Sequence, residues 1–194
     1  MRLSDNFSLQ EFIISQTAER QGGEMLEQQN APTEEVVSNL GYLAETCLQP
    51  LRTLMNTPMS ITSGYRSPLL NTHIGSKPTS QHVVGEAADV TLSNAIRTSP
   101  SLGRYKRIVE NQVYEKIGRP MRSQVNSNFY LFATAAIYMN ELDIDQLIHE
   151  YGSDGEPGWI HMSSSRSKNR RQILKISKSG AESLTLEEAL LLGA

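Results

Sequence analysis

The chain is poor in several residue types, and each scarcity excludes a class of protein. Its 194 residues contain one cysteine, Cys47, and four histidines. A single cysteine cannot form an internal disulfide or a cysteine zinc cluster. No apolar run approaches the roughly 18 residues that a membrane-spanning helix needs, and the first residues lack the apolar stretch of a signal peptide. We therefore expect synthesis in the cytoplasm, no membrane insertion, and another route of release for any activity outside it.

Charge is unevenly distributed along an otherwise ordinary composition. The chain is 38% hydrophobic with a formal net charge of -3, and its length suits one domain over 1–194. Residues 97–122 carry seven basic and two acidic side chains, a net of +5, whereas the remainder carries -8. Such a block is typical of a solvated helix face or of a surface that binds an anionic polymer. It contains only Tyr105 and Tyr114 as aromatics, which argues against a nucleic-acid contact.

The periodicity of apolar positions predicts helices first and strands later. Thr33 starts an amphipathic helix that runs to Leu54, with Cys47 in its apolar stripe as a buried structural thiol, and Pro50 should bend or divide it. The other predicted helices are a short one capped by Ser8, the basic insert at about 94–127, 128–141 and 185–192. The predicted strands are 59–62, 86–92, 144–150, 158–163 and 172–177, and loops are predicted at 15–32, 71–85 and 151–157. This order indicates an α+β domain with a mainly antiparallel sheet.

Two segments hold polar residues that could form a catalytic metal site. His82 and Asp89 are seven positions apart, and His161 follows on a later predicted strand. Strand alternation places Asp89 and His161 on one face of neighbouring strands, while the apolar residues between them enter the core. Two imidazoles and one carboxylate, with a fourth position for water, are the ligands of a hydrolytic zinc site. Any one of these residues alone is more typical of an ordinary hydrogen-bonded side chain.

Several motifs occur in the order and spacing of a known enzyme family. They are Ser63-Gly64-Tyr65-Arg66-Ser67, Asn71, Ser80-Gln81-His82 with Gly85, Ala87 and Asp89, and Trp159-Ile160-His161. These motifs resemble the zinc D-alanyl-D-alanine peptidases, a group of carboxypeptidases, D-alanyl-D-alanine dipeptidases and phage L-alanyl-D-glutamate endolysins. The resemblance covers most of 3–92 and 143–165. It implies a hedgehog/DD-peptidase fold and one Zn²⁺ held by His82, Asp89 and His161.

The same resemblance implies substrate-binding roles for two further residues. Arg66 would bind a substrate carboxylate, for which the planar guanidinium fork is suited. The alternative for Arg66 is a structural ion pair after its strand. Ser80 would add a hydrogen bond to the substrate or help to orient the site. We expect Tyr65 to serve packing, and His73 to be a loop residue rather than a ligand.

The general base is where the chain departs from this family. The better-characterised members place an acid or a histidine close before the last ligand, often three positions earlier, and that position is Gly158 here. Glu150 is our candidate, because its strand should run beside the one that carries His161. His149 should point to the opposite face of the sheet, and Glu156 lies in the following predicted loop. These two residues, or no base at all, are the alternatives.

Two functions from different classes follow. The first is a zinc metallopeptidase, of carboxypeptidase or endopeptidase type, that hydrolyses bonds involving D-amino acids in peptidoglycan stem peptides. The second is a non-catalytic, zinc-containing peptidoglycan-binding module, such as a phage structural component, which the glycine at 158 motivates. We expect a monomer that acts on the cell wall after release or from a phage particle and binds no nucleic acid. The basic insert is either a solvated helix face or a surface that holds an anionic wall polymer.

Overall fold

The strands form one sheet whose spatial order differs from their order along the chain. The computed structural model describes residues 1–92 and 100–194. The sheet neighbours are, in order, β1-β2-β4-β3-β5-β6, antiparallel at each junction except β3 with β5. The strands are β1 (Ser60–Ser63), β2 (Ala87–Thr91), β3 (Gln146–Ser153), β4 (Glu156–Ser163), β5 (Gln172–Ser177) and β6 (Gly180–Leu184). The predicted α+β class with a mainly antiparallel sheet is confirmed.

Helices precede the first strand, separate β1 from β2 and β2 from β3, and follow the last strand. They are α1 (Leu9–Ile13), α2 (Gln16–Gln21), α3 (Gly23–Asn30), α4 (Glu34–Leu43), α5 (Gln49–Met55), α6 (Pro68–His73), α7 (Pro100–Ile117), α8 (Ser127–Ile137) and α9 (Leu186–Leu191). In the described part of the chain, no helix combines the length and the apolarity that crossing a bilayer requires.

The predicted division of the long helix takes the form of a π-helical segment, Ala44–Leu48, between α4 and α5. The backbone N–H of Gln49 bonds to the carbonyl of Ala44, five residues back. Pro50 follows in the first turn of α5, where its missing N–H and its ring are tolerated because the preceding turn is already widened. The thiol of Cys47 is buried as predicted, and this burial raises its pKa to about 12.

The prediction of a loop at 15–32 is wrong, because α2 and α3 occupy it. The Ser15 hydroxyl caps α2 by accepting a backbone N–H. Gly22, with a φ of 65°, lets the chain turn directly into α3. The buried side chain of Gln29 donates to the carbonyl of Tyr65 at 2.8 Å. Ala18 of α2 and Met25 of α3 are also buried in one small apolar cluster with Leu70 of α6, so polar and apolar tertiary contacts together hold these two helices in place.

Two other predicted loops are shorter in the structure. The loop predicted at 71–85 begins with the last residues of α6, and the one predicted at 151–157 is mostly strand, since β3 and β4 continue to a tight turn. Gly152 makes this possible, because a Cβ there would lie 2.1 Å from the carbonyl oxygen of Glu156. The glycine that suggested a loop instead allows two strands to approach closely. Strand β6 was not predicted.

The predicted basic insert begins among residues outside the described part, including Arg97. From Pro100 the segment is helical, as predicted, and forms α7. Further on, the backbone N–H of Arg122 donates to the carbonyl of Gly193 at 2.7 Å, and its Nε donates to the carbonyl of Ala194 at 2.7 Å. The end of the insert is therefore attached to the C-terminal residues that follow α9.

The sheet has a core face and a polar face. Val90, Ile160 and Met162 are fully buried, as strand alternation predicted, in one hydrophobic cluster with residues of α5 and α8. Since successive residues of a strand point to opposite faces, their sequence neighbours Asp89 and His161 lie on the polar face. This face carries the candidate site.

Candidate metal centre

His82 lies in the turn that leads into β2, and its side chain is buried. Its Nδ1 atom is 2.6 Å from the carbonyl oxygen of Gly64. A carbonyl can only accept, so Nδ1 carries the proton and Nε2 presents a lone pair to the site. Gly64 must be glycine for this approach, because a Cβ there would lie 2.5 Å from the backbone oxygen of Phe12. The exit of β1 thus selects the tautomer of His82.

Asp89 and His161 are direct partners across the antiparallel pair of β2 and β4. Their side chains therefore leave the sheet side by side, and His161 Nδ1 lies 3.0 Å from Asp89 Oδ1. Both residues are buried. The shared face that strand alternation predicted for them is confirmed by this register.

The three side chains converge on one point. His82 Nε2 is 3.2 Å from His161 Nδ1 and 3.3 Å from Asp89 Oδ1. Ligand atoms about 2.0–2.1 Å from a zinc ion at tetrahedral angles lie roughly 3.3–3.4 Å apart. The three atoms therefore have nearly the spacing of three corners of a tetrahedral zinc site. Within residues 1–92 and 100–194 they are the one group of histidine, cysteine and carboxylate side chains placed to hold a metal ion.

Electrostatics favours the protonation states that metal ligands need. Burial lowers the pKa of His82, which keeps its imidazole neutral near pH 7. Burial acts to raise the pKa of Asp89, but the imidazoles of His82 and His161 outweigh it and hold that pKa well below its ordinary value. Asp89 is therefore an ionised carboxylate, and its Oδ1 faces the imidazoles of His82 and His161.

Arg66 contacts the other oxygen of Asp89. Its Nη2 lies 2.6 Å from Asp89 Oδ2, and its Nε donates to the Ser63 hydroxyl at 2.9 Å. The ion pair that the sequence left open as an alternative for Arg66 is thus present in the structure. It leaves Oδ1 directed at the two histidines.

A bulge in β1 places Ser63 where Arg66 can reach it. Ile61 pairs with Val90 and Ser63 with Asp89, so Thr62 is the extra residue on the β1 side. In a regular strand Ile61 and Ser63, which are two positions apart, would share one face of the sheet. With the bulge, Ile61 packs against the core while Ser63 lies on the face of Asp89.

Glu150 lies on the same face, on the strand beside that of His161. It is opposite Trp159 in the register of β3 and β4, and Trp159 shares the face of His161 because it is two residues away. The indole Nε1–H of Trp159 donates to Glu150 Oε2 at 2.6 Å. Burial raises the pKa of Glu150, and the charge of Asp89 adds to the rise.

His149 points away from this group, as predicted. It pairs with Ile160 on the core face, and its ring meets that of Phe132 edge-on, with centroids 5.5 Å apart. Its Nε2 lies 2.8 Å from the carbonyl oxygen of Asp154. His149 therefore belongs to the packing of the hairpin.

The structure explains why no acid occupies position 158. A Cβ at Gly158 would lie 2.7 Å from the carbonyl oxygen of Tyr151, on the adjacent strand. Glu156 is at the other end of the hairpin, exposed, and accepts a hydrogen bond from Ser153 at 3.0 Å. Of the three acidic or basic side chains considered as a base, only Glu150 shares the face of the metal group.

The remaining residues that the sequence singled out are Ser80, Tyr65 and His73. Ser80 is half-buried in the turn before His82, and its carbonyl accepts the N–H of Val83 at 3.0 Å. Tyr65 is buried, in agreement with a packing role. His73 is exposed at the end of α6 and is not part of the metal group.

Sequence reasoning missed a cleft of about 590 Å³ that opens beside Arg66, between α2, β1 and α6. It could not have been found, because α2 falls in a segment that was predicted to be a loop. The contact between Trp159 and Glu150 was also missed. Pairing the two predicted strands as a hairpin would have placed these residues opposite each other.

The sequence model of the peptidase M15 family matches residues 5–125. No curated protein matches the chain. The matched segment is more than half of the chain and contains Arg66, Ser80, His82 and Asp89. His161 and Glu150 lie beyond it and reach the group through the pairing of β2, β4 and β3. M15 enzymes are zinc metallopeptidases, and the chain belongs to the peptidase M15 family.

Proposed function

We propose that the chain is a zinc-dependent peptidase that hydrolyses bonds involving D-amino acids in bacterial peptidoglycan stem peptides. The observation that carries this proposal is the convergence of His82 Nε2, Asp89 Oδ1 and His161 Nδ1 at separations of 3.0–3.3 Å. Membership of the M15 family supports the peptidase chemistry. The motif resemblance to the D-alanyl-D-alanine peptidases supports the substrate class, and it favours action on the wall after release or from a phage particle.

The proposed zinc ligands are fixed by second contacts. Zinc held there would supply a Lewis acid for the scissile carbonyl and lower the pKa of water to about 7. Gly64 orients His82, and Arg66 occupies the second oxygen of Asp89. Such contacts keep the ligand atoms directed at the ion and reduce the reorganisation that binding requires.

Glu150 is the proposed general base. Glu150 is paired with Trp159, and Trp159 is two residues before His161 on β4. Two residues of a strand correspond to roughly 7 Å. A water molecule and a glutamate side chain can span that distance. Glu150 would accept the proton of the attacking water and return it to the leaving amine. Its raised pKa makes it a stronger base than an ordinary glutamate and brings it closer to neutrality.

Arg66 and Ser80 are the proposed substrate-binding residues at the metal group. Two nitrogen atoms of Arg66 are occupied by Asp89 and Ser63. Its Nη1 has no hydrogen-bond partner in the described part of the chain, and the residue lines the cleft. A charge-assisted bond from Nη1 to a substrate carboxylate is therefore compatible with the ion pair to Asp89. Ser80 would add a hydrogen bond from the turn before His82.

We propose in addition that exposed basic residues of the α7 region hold an anionic wall polymer. Arg107, Lys116 and Arg119 are exposed. Lys106 instead packs 5.5 Å over the ring of Tyr130, and Arg122 bonds to the C-terminal carbonyls. Of the side chains of the block that the structure describes, Arg107, Lys116 and Arg119 are the cations that we propose to be available to a polymer.

The test of the enzymatic proposal is digestion of purified peptidoglycan, with the new termini identified by mass spectrometry. We expect new amino and carboxyl termini at one bond of the stem peptide, loss of cleavage with a chelator, and recovery on addition of Zn²⁺. The position of the cleaved bond distinguishes a carboxypeptidase from an endopeptidase.

A matched pair of histidine variants controls this experiment. His161→Ala removes a proposed ligand, whereas His73→Ala removes an exposed imidazole outside the metal group. We expect only the first to abolish cleavage. Peptidoglycan binding that requires zinc, without any new termini, would reject the peptidase and support the non-catalytic binding module.

A further inference from the structure

The cleft beside the metal group has the position of a substrate-binding groove. Arg66 both contacts Asp89 and lines this cleft, so the cleft begins at the metal group. Its walls come from α2, from β1 and from α6, and its volume of about 590 Å³ falls in the range of small-molecule and peptide sites. Nothing in the proposed chemistry uses its far wall, α2.

The edge of β1 forms one side of the cleft. In the described chain β1 is the outermost strand and has β2 as its sole strand partner. Its residues Ile61, Thr62 and Ser63 all line the cleft. The open edge of a strand presents backbone N–H and C=O groups that an extended peptide can pair with. The occupant that fits this wall is an extended peptide segment.

The positive charge of the cleft indicates that the bound segment carries a negatively charged group. Among the side chains that line it, two are arginines, Arg20 and Arg66, and none is acidic. Arg66 is paired with Asp89, but Arg20 forms no ion pair with any carboxylate in residues 1–92 and 100–194. Its only side-chain hydrogen bond there is to the neutral amide oxygen of Gln16, at 3.2 Å. Arg20 is a cation without a counter-charge, on the wall opposite β1.

We propose that the cleft binds the arm of the stem peptide outside the scissile bond, extended along β1, and that Arg20 binds a carboxylate of this arm. The proposal rests on the proposed function and adds to it a specificity-determining residue. Arg66 serves the carboxylate nearest the metal group, and Arg20 serves one further along the arm. A planar guanidinium that is not already paired can take a carboxylate in a bidentate manner.

The expected effect is moderate because Arg20 is exposed. Ion pairs at exposed positions contribute at most about 1 kcal/mol, which corresponds to about a fivefold change in affinity. A bidentate pair in a cleft can exceed this value, so we expect a five- to tenfold difference. The effect should depend on the charge of the peptide and leave the metal group unchanged.

The experiment uses two synthetic stem peptides that differ only in whether the free carboxyl group of D-glutamate is amidated. The dissociation constants of both are measured by calorimetry on the zinc-loaded protein, and KM is measured where cleavage occurs. Arg20→Gln removes the cation and Arg20→Lys keeps the charge without the fork. Arg2→Gln is the matched control, because Arg2 is an exposed arginine with one hydrogen bond to a neutral oxygen and lies outside the cleft.

The wild-type protein and the Arg2→Gln control should bind the free acid five- to tenfold more tightly than the amide. Arg20→Gln should lose this preference by weakening only the acid, and Arg20→Lys should retain part of it. Equal binding of the two peptides by the wild type, binding of neither, or an unchanged preference in Arg20→Gln would overturn the proposal. Failure of the proposed enzymatic function is a separate result: binding with the expected preference but without cleavage in the presence of zinc.

Discussion

Asp89 and Glu150 are two carboxylates on one face of the sheet, and their surroundings move their pKa values in opposite directions. Asp89 faces the imidazoles of His82 and His161 and contacts the guanidinium of Arg66, and its pKa is held well below the ordinary value. Glu150 is half-buried, and the hydrogen bond from the indole N–H of Trp159, together with His161 and Arg66, lowers its pKa less than burial and the charge of Asp89 raise it. Burial therefore prevails, and the pKa of Glu150 rises.

The difference teaches how one face can hold both a ligand and a base. A carboxylate that contacts a guanidinium and two imidazoles stays ionised and can bind a metal. A partly buried carboxylate with fewer groups to stabilise its negative charge holds a proton more readily and can exchange it during a reaction. Pairs of acids whose pKa values are pushed apart in this way are typical of hydrolytic sites. The following predictions alter each side of this comparison in turn.

Removing a proposed ligand should have the largest effect. His82→Ala and His161→Ala each delete one of three converging atoms, and two ligands hold zinc far less well than three. We expect near-complete loss of zinc in both variants, measured by elemental analysis of dialysed protein, and unchanged zinc in His73→Ala. Full zinc content in both ligand variants would reject the assignment of the metal centre.

Removing the base should leave the metal centre intact. Glu150→Gln is nearly isosteric and can still accept the hydrogen bond of Trp159, so zinc content and melting temperature should be unchanged. Turnover should fall by about 10²-fold or more, since general base catalysis typically contributes 10²–10⁴. Glu156→Gln, at the exposed end of the hairpin, is the control. Hydrolysis at the wild-type rate by Glu150→Gln would move the role to another group.

The pH dependence should separate the two carboxylates. Glu150 acts as a base only when it is ionised, so kcat/KM should rise with pH through the pKa of Glu150. Burial raises this pKa, so the rise should occur above the value of about 4.3 for an ordinary glutamate. The residual activity of Glu150→Gln should lack this limb of the profile. An identical acidic limb in the variant and the wild type would assign it to another group.

The position of Asp89 could be predicted from the sequence more readily than that of Arg66. Strand alternation alone places Asp89 and His161 on one face, and a direct register then brings them within 3.0 Å. The contact of Arg66 with Asp89 depends on the bulge at Thr62, and the sequence carries no periodic signal for one extra residue in a strand.

Helix α2, which forms one wall of the cleft, could not be predicted from the sequence. Helix α2 has one buried residue, Ala18, which packs with Met25 of α3 and Leu70 of α6, and the buried amide of Gln29 joins α3 to α1 and to the exit of β1. These contacts join a few residues in separate elements and follow no repeating pattern, so hydrophobic periodicity does not report them. A site that includes α2 was therefore beyond prediction, whereas a metal group built on regular strands was not.

Replacing Arg66 should affect substrate more than metal. Arg66→Lys keeps a cation near Asp89 Oδ2 but loses the guanidinium fork. The backbone pairing of Asp89 with His161 still places Asp89 beside the histidine. We expect normal zinc content and roughly a tenfold increase in KM. Zinc content and KM are measured on the same preparation. Loss of zinc in this variant would show that the ion pair is needed to hold the ligand, and that Arg66 acts on the metal centre.

The smallest effect is expected far from both carboxylates, on the surface of the α7 region. Reversing the charge of Arg107, Lys116 and Arg119 to glutamate should weaken binding to intact walls but leave zinc content and cleavage of a small soluble muropeptide unchanged. Contacts between exposed charges are screened beyond about 8 Å at physiological ionic strength, so added salt should weaken wall binding of the wild type in the same way.

A charge-matched control makes this last prediction specific. The triple reversal of Arg2, Lys168 and Lys178 changes the net charge equally at exposed positions outside the α7 region. If the region binds the polymer locally, only the first triple variant loses wall binding. Equal losses in both variants would indicate that net charge alone is responsible. Wall binding that neither salt nor charge reversal alters would identify the basic block as a solvated helix face, and recognition of the wall would then depend on the cleft beside Arg66.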